Sequence, residues 1–218
     1  MRLVRETGIY SAGRGVALQA DDMLETGKGT IQLGAGRSTV AIGPLSRIYI
    51  RSGSEFVLLD GWLKVHAHAG APVSVATGVL QVTADDAAAT LHAGGGTTEV
   101  FAESGALRVR EPGAARPGPP KSIPAEQFGV RSGAQALRLA ARPLPAFLAA
   151  MPEPFRDTLV PVAAPAMPTA PRRERAATFA ELAGWLDGQP ALRRQLQRRF
   201  APPRPARSSA ARSPTVQP

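Results

Sequence analysis

Residues Leu24–Ile50 read LETGKGTIQLGAGRSTVAIGPLSRIYI, three short runs in which apolar and polar side chains alternate. Ile31 and Leu33 alternate with Thr30 and Gln32, Val40 and Ile42 with Thr39 and Ala41, and Ile48 and Ile50 with Tyr49 and Arg51. A period of two is what a strand with one buried face requires, because successive side chains leave opposite sides of the backbone. Gly34–Gly36 and Gly43-Pro44 interrupt the runs and supply the freedom in φ, or the fixed φ, that tight reversals use. The pattern continues for roughly sixty residues with no helix-period segment, which excludes helix-bundle and α/β architectures for the first half of the chain.

Strands are expected near Val16–Gln19, Thr30–Leu33, Thr39–Ile42, Arg47–Ile50, Glu55–Leu59, Leu63–His68, Val73–Ala76, Val79–Thr83, Ala89–Leu91, Thr97–Phe101 and Ala106–Arg110. Their close spacing between Gly, Pro, Asp and Ser suits an antiparallel module, either a sandwich or a solenoid-like stack. Asp60-Gly61 reads as a hairpin turn between its flanking strands, and Gly94–Gly96 as another between the Leu91 and Val100 strands.

The segments also resemble a known family. L-x-T-G-x-x-G-x-x-x-L, a Gly turn and a V-x-I-x-P-x-S strand look like the start of a FecR-type domain. EFVLLDGWLKVHA (Glu55–Ala67) fits that family's v-x-L-x-x-G-x-L-x-V step, and VFAESGALRVRE (Val100–Glu111) its closing strand pair. The likeness spans roughly residues 12–111. One departure stands out: VTADDAAATL (Val82–Leu91) has Asp85-Asp86 where members that regulate transcription often carry a Gly-Thr pair and a following aromatic. The resemblance implies a non-enzymatic sensory-regulatory or scaffold role through protein–protein contacts at the bacterial envelope, with an unidentified envelope protein as partner. The alternative is a module that binds peptidoglycan or another anionic polysaccharide.

The expected organisation is a FecR-like β domain over 1–111, a Pro/Gly-rich linker over 112–133, short helices over 134–200 and a disordered basic tail over 201–218. Ala134–Arg142 and Ala146–Ala150 are short helical candidates, each ended by a proline. The strongest helical signal lies in ATFAELAGWLDGQPALRRQLQRRF (Ala177–Phe200). Thr178 and Glu181 match a capping box, and Phe179, Leu182, Trp185 and Leu186 share one face. Asp187-Gly188 ends that helix and Pro190 starts the next, on which Leu192, Leu196 and Phe200 line one side. A helical hairpin this short must dock on the β domain or on a partner. Together with PEPFRDTL (Pro152–Leu159) it resembles C-terminal extensions of some FecR-domain proteins.

Charge is divided unevenly. Residues 1–109 hold nine Lys/Arg and ten Asp/Glu, whereas the remainder holds seventeen and seven, so the net charge of +9 resides in the C-terminal half. Such a segment suits an acidic surface; without interleaved aromatics or a nucleic-acid-binding motif, it argues against nucleic acid. The absence of cysteine excludes disulfides, thiol catalysis and Cys-ligated zinc. No apolar run reaches membrane-spanning length, and Met1–Gly15 lacks the apolar core of a leader. The family resemblance nevertheless implies a periplasmic location. The expectation is therefore a start placed downstream of the true one; a chain that truly starts at Met1 would be cytoplasmic.

Few residues suggest chemistry. His66 and His68 fall on one strand face, but no third ligand accompanies them, and they fit a solvent face opposite Leu63, Val65 and Ala67. Asp21-Asp22 and Asp85-Asp86 are adjacent pairs whose side chains diverge, so they read as turn residues. Serines lack a nucleophile-elbow context, and the Gly clusters lack the lysine of a phosphate loop. No catalytic residue, metal site or cofactor is expected. The expected partner-binding residues are Tyr49, Trp62, Trp185, Arg193, Arg194, Arg198 and Arg199.

Overall fold

A computed structural model describes residues 1–112, 119–163 and 165–201. The chain is mainly β, with short helices near its C-terminus. Its first strands are β1 (Arg2–Arg5), β2 (Gly8–Ser11), β3 (Met23–Glu25), β4 (Ile31–Ala35), β5 (Ser38–Ile42), β6 (Arg47–Ser52), β7 (Glu55–Ala67) and β8 (Val73–Ala76). Then come β9 (Gln81–Ala84), β10 (Ala87–Gly94), β11 (Thr97–Ser104), β12 (Leu107–Arg110), β13 (Lys121–Ile123), β14 (Phe128–Ser132), β15 (Arg138–Ala140) and β16 (Arg172–Ala176).

They form two layers that share β7. The first sheet runs β13-β12-β9-β8-β7-β6-β3-β1-β2-β16, and the second runs β15-β14-β11-β10-β7-β5-β4. Every pairing is antiparallel except β7 with β8. The expected hairpin at Asp60-Gly61 is instead a corner, because β7 continues for 13 residues and passes from one sheet to the other. Gly61 adopts φ +91°, and a Cβ there would stand 2.3 Å from Ser46 Oγ, so the corner admits only glycine. The Gly94–Gly96 turn joins β10 to β11 as expected.

Leu3, Leu24, Ile48, Leu58, Val75 and Val82 of the first sheet meet Val40, Ile42, Leu63, Val65, Leu91 and Val100 of the second in one shared core. A sandwich of this kind ordinarily leaves its outer faces to solvent. Here the described residues between 141 and 201 wrap around it. Helix α1 (Pro145–Ala150) and the turn at Glu153–Phe155 lay Phe147, Met151, Phe155 and Leu159 over Ala41, Trp62 and Phe128 on the outside of the second sheet. An extended strap follows, held where the Gln32 side-chain amide donates to the Val160 carbonyl (2.9 Å) and accepts from the Val162 N–H (3.0 Å). β16 then pairs with β2 at the sheet edge. Finally α2 (Phe179–Ala183), the single turn at Gly184–Leu186 and α3 (Pro190–Arg199) set Leu182, Trp185, Leu186, Leu192 and Leu196 on Val4, Ile9, Met23, Tyr49 and Val57.

Several boundaries therefore differ from expectation. The forecast linker over 112–133 contains β13 and β14, and the forecast helix at Ala134–Arg142 contains β15. β13 lies between Pro120 and Pro124, which a short edge strand tolerates because it needs few outward donors. Val16–Gln19 forms only a bridge, from Val16 to Thr169. The forecast disordered tail, apart from Ala201, lies outside the described residues, as do residues 113–118 of the linker. Among the described residues, no helix is long and apolar enough to cross a membrane.

Candidate functional site

The aromatic residues expected to meet a partner are used inside the fold. Trp62, on β7, stacks on His92 with ring centroids 4.4 Å apart and lies 5.0 Å from Phe147. Trp185 is covered by Arg2 and Arg47, at 5.7 and 5.1 Å from its ring, and both arginines pair with Glu25. Tyr49, on β6, lies under α3, where its hydroxyl donates to the Asp21 carboxylate and accepts from Gln195 Nε2 at 3.0 Å. Burial, then the bond to Asp21, pushes the Tyr49 phenol up to about 12. All three rings are buried, so none offers a face to a ligand.

The four arginines divide. Arg199 donates to the Asp21 carbonyl (3.1 Å) and pairs with its carboxylate (3.5 Å), and Arg193 reaches Asp187 (3.6 Å). Arg194 and Arg198 project into solvent. The α2–α3 hairpin is thus bound to its own sandwich, and Trp185 and Arg199 are the forecast contact residues that hold it there.

The other candidates are structural. His66 and His68 share a face with rings 5.0 Å apart, but among the described residues no cluster of three or more His, Cys, Asp or Glu could hold a metal. Asp22 is buried and accepts both arms of Arg5, at 2.9 and 2.7 Å, and the Gln19 N–H at 2.8 Å. Asp21, at φ +71°, turns away toward Tyr49. Asp85 caps the Gly70 N–H at 3.1 Å.

Two arrangements were not singled out from the sequence. Lys64 is 1% exposed and spends its ammonium on three acceptors: the Phe155 carbonyl (2.7 Å), the Asp157 carbonyl (2.9 Å) and the Glu103 carboxylate (2.7 Å). Thr90 Oγ1 donates to the second Glu103 oxygen at 2.5 Å. A buried charge is tolerated when its donors are fully satisfied, and this one ties the tail to the second sheet.

The second arrangement is a surface. The hairpin stops where Gly188 meets Gly78 in the β8–β9 turn; a Cβ on Gly78 would stand 3.5 Å from the Gly188 carbonyl. Beyond that line no described residue covers the outer face of the first sheet, where Gln81, Arg108, Arg110 and Ser122 are exposed. Registers place Arg108 beside Thr83 and Ser122, and Arg110 beside Gln81. Gln81, Thr83, Arg108, Arg110 and Pro120 line a hollow of about 250 Å³. The carboxylate next in sequence, Glu111, is already engaged by Lys121 (2.5 Å), the Leu137 N–H (3.3 Å) and Arg131 (3.9 Å). Those contacts, the Lys121 bond foremost, hold Glu111 below the usual carboxylate range. Among the described residues, neither Arg108 nor Arg110 has a carboxylate within ion-pair distance. LRVR shows Arg108 and Arg110 opposite Leu107 and Val109, but nothing in it shows that their face stays open.

No family model and no curated protein matches the chain. Among solved structures, two crystal structures of a proposed anti-sigma factor from Parabacteroides distasonis ATCC 8503 align with it at a TM-score of 0.46 and 11% identity. The alignment covers 55% of this chain and 59% of that one, so this chain spans less than two thirds of that protein's length. A likeness this distant transfers neither activity nor partner.

Proposed function

We propose that the chain is a non-enzymatic binding module of FecR type that works at the bacterial envelope, in a sensory-regulatory or scaffold role through protein–protein contact. The observation that carries this reading is the uncovered strip of the first sheet. The tail closes much of the outer surface of both sheets, whereas Arg108 and Arg110 stand together over a hollow with their neighbouring carboxylate spent elsewhere. Unneutralised guanidiniums on a sheet face are suited to recruiting an acidic surface. The glycan alternative draws on Tyr49, Trp62 and the basic tail; both rings are buried, and most of the tail lies outside the described residues.

The test is to map the native N-terminus, fractionate the producing cell, and place a photo-crosslinking side chain at Gln81 or, as a control, at the exposed Lys28. Recovery from the envelope with a discrete adduct at Gln81 alone supports the proposal. Confinement to the cytosol, or equal adducts at both positions, would sink it.

A further inference from the structure

The uncovered strip narrows the chemistry of the partner, given the binding role just proposed. Arg108 and Arg110 are two residues apart on β12 and leave the same side of the sheet, about 7 Å apart along the strand. An extended polypeptide with acidic residues at every second position repeats at the same spacing. Each guanidinium fork can take one carboxylate through two parallel hydrogen bonds. Beside them, Gln81, Thr83 and Ser122 add short polar side chains suited to a neighbouring backbone.

The face also discriminates against other anions. No aromatic ring lies among the residues lining the hollow, so a sugar ring or a nucleobase has nothing there to stack on. Nor is strand addition at the edges of the first sheet favoured. β16 is Arg172-Arg173-Glu174-Arg175-Ala176, a charged edge, and β13 carries Lys121 on the side of the core residue Val109, paired with Glu111. What the first sheet offers is therefore its face, read by side chains.

We infer that this strip binds an extended acidic segment of a partner protein, with carboxylates at alternate positions seated on Arg108 and Arg110. The partner segment lies over β12 and β9, with its other side chains against Gln81, Thr83 and Pro120.

The test uses the full chain and a fluorescein-labelled short peptide of alternating glutamate and threonine, followed by fluorescence anisotropy. A lysine–threonine peptide and an oligogalacturonate serve as comparison probes. The acidic peptide should bind, and added salt should weaken it, as expected for exposed charge pairs. The double variant R108E/R110E should lose affinity about tenfold or more and begin to bind the lysine peptide, because the contact becomes repulsive for one probe and attractive for the other. K28E/R37E, at exposed cations before β4 and in the β4–β5 turn, should leave binding unchanged. Circular dichroism and the midpoint of urea unfolding establish that both variants fold.

Binding of the acidic peptide that survives R108E/R110E overturns the inference. So does failure of the acidic peptide to bind at all. Oligogalacturonate binding that needs both arginines, in the absence of peptide binding, overturns the peptide assignment and makes the strip a glycan site. The crosslink at Gln81 does not depend on the partner being acidic, so it judges the broader binding role separately.

Discussion

The two outer faces of the sandwich are covered by one tail in two different ways. On the second sheet a short helix and a turn are locked by Lys64, whose three donors are satisfied by two tail carbonyls and Glu103 inside the fold. On the first sheet the α2–α3 hairpin is held mainly by apolar area, and its polar clasp of Asp21, Tyr49, Gln195 and Arg199 sits at a half-open rim. A buried ammonium specifies which carbonyls must face it, so it fixes the position of the tail; apolar area contributes more evenly and specifies position less. The first cover should therefore fail abruptly when a charge is removed, and the second gradually when volume is removed.

The largest effect is expected from Glu103→Leu, which leaves Lys64 buried with no counter-charge. It should cost about 3–5 kcal/mol in urea unfolding, while the double variant Lys64→Met/Glu103→Leu should recover most of that loss. A single variant as stable as the parent would show that the carbonyls alone hold Lys64. Next, Leu196→Ala, beneath the hairpin, should cost about 2–4 kcal/mol by leaving a cavity. Hydrogen exchange should then rise in α3 but not in residues 145–157; a rise in both would mean that the two covers open as one unit.

Alkaline pH probes the rim of the second cover. Tyr49 is raised from 10.0 to about 12, so its neutral, hydrogen-bonded form contributes fully below pH 10. That contribution is lost as pH rises from 10 to about 12, because the unfolded phenol ionises first. A Tyr10→Phe variant leaves one tyrosine to follow by ultraviolet absorbance, since the chain has two. A midpoint near 10 would break the proposed contact. Tyr49→Phe should remove this alkaline loss and cost about 1 kcal/mol at neutral pH.

The smallest effect lies at the start of α2. The Glu181 carboxylate accepts the Thr178 N–H at 3.0 Å and pairs with Arg175 at 2.7 Å. These contacts, the backbone bond first, place it below the ordinary value of 4.5. Its support is present above that value and declines as pH falls through the lowered one. Circular dichroism should show a slight acid-side loss of helix that Glu181→Gln abolishes.

The same two covers explain how far the strands could be read in advance. Alternation located β4 to β12 because inward positions were strongly apolar. The covered outward positions are Ala41, Tyr49 and Trp62, which looked like solvent-facing or ligand-facing residues. The β1–β2 hairpin went unrecognised because Leu3 and Val4 are consecutive and both buried, one facing the shared core and the other the helical hairpin. Strands covered on both faces lose the period-two signal. Asp60-Gly61 had the residues of a hairpin turn, yet pairing with different neighbours on either side of Gly61 made it a corner. For the site, LRVR revealed a basic face, but whether the tail reached that face was a matter of packing.

Local residue chemistry by itself determined the β module, the Gly94–Gly96 turn, α1, the two helices after Thr178 and the basic imbalance of the C-terminal half. These follow from side-chain period, φ preferences and capping, which act over a few residues. The tertiary structure decided that β7 serves both sheets, that the tail folds back over them, that Tyr49, Trp62 and Trp185 turn inward, and that Arg108 and Arg110 remain outside. Those outcomes depend on apolar surfaces and charges distant in sequence finding one another, or on a surface being left without a cover, and no local window of sequence contains both partners.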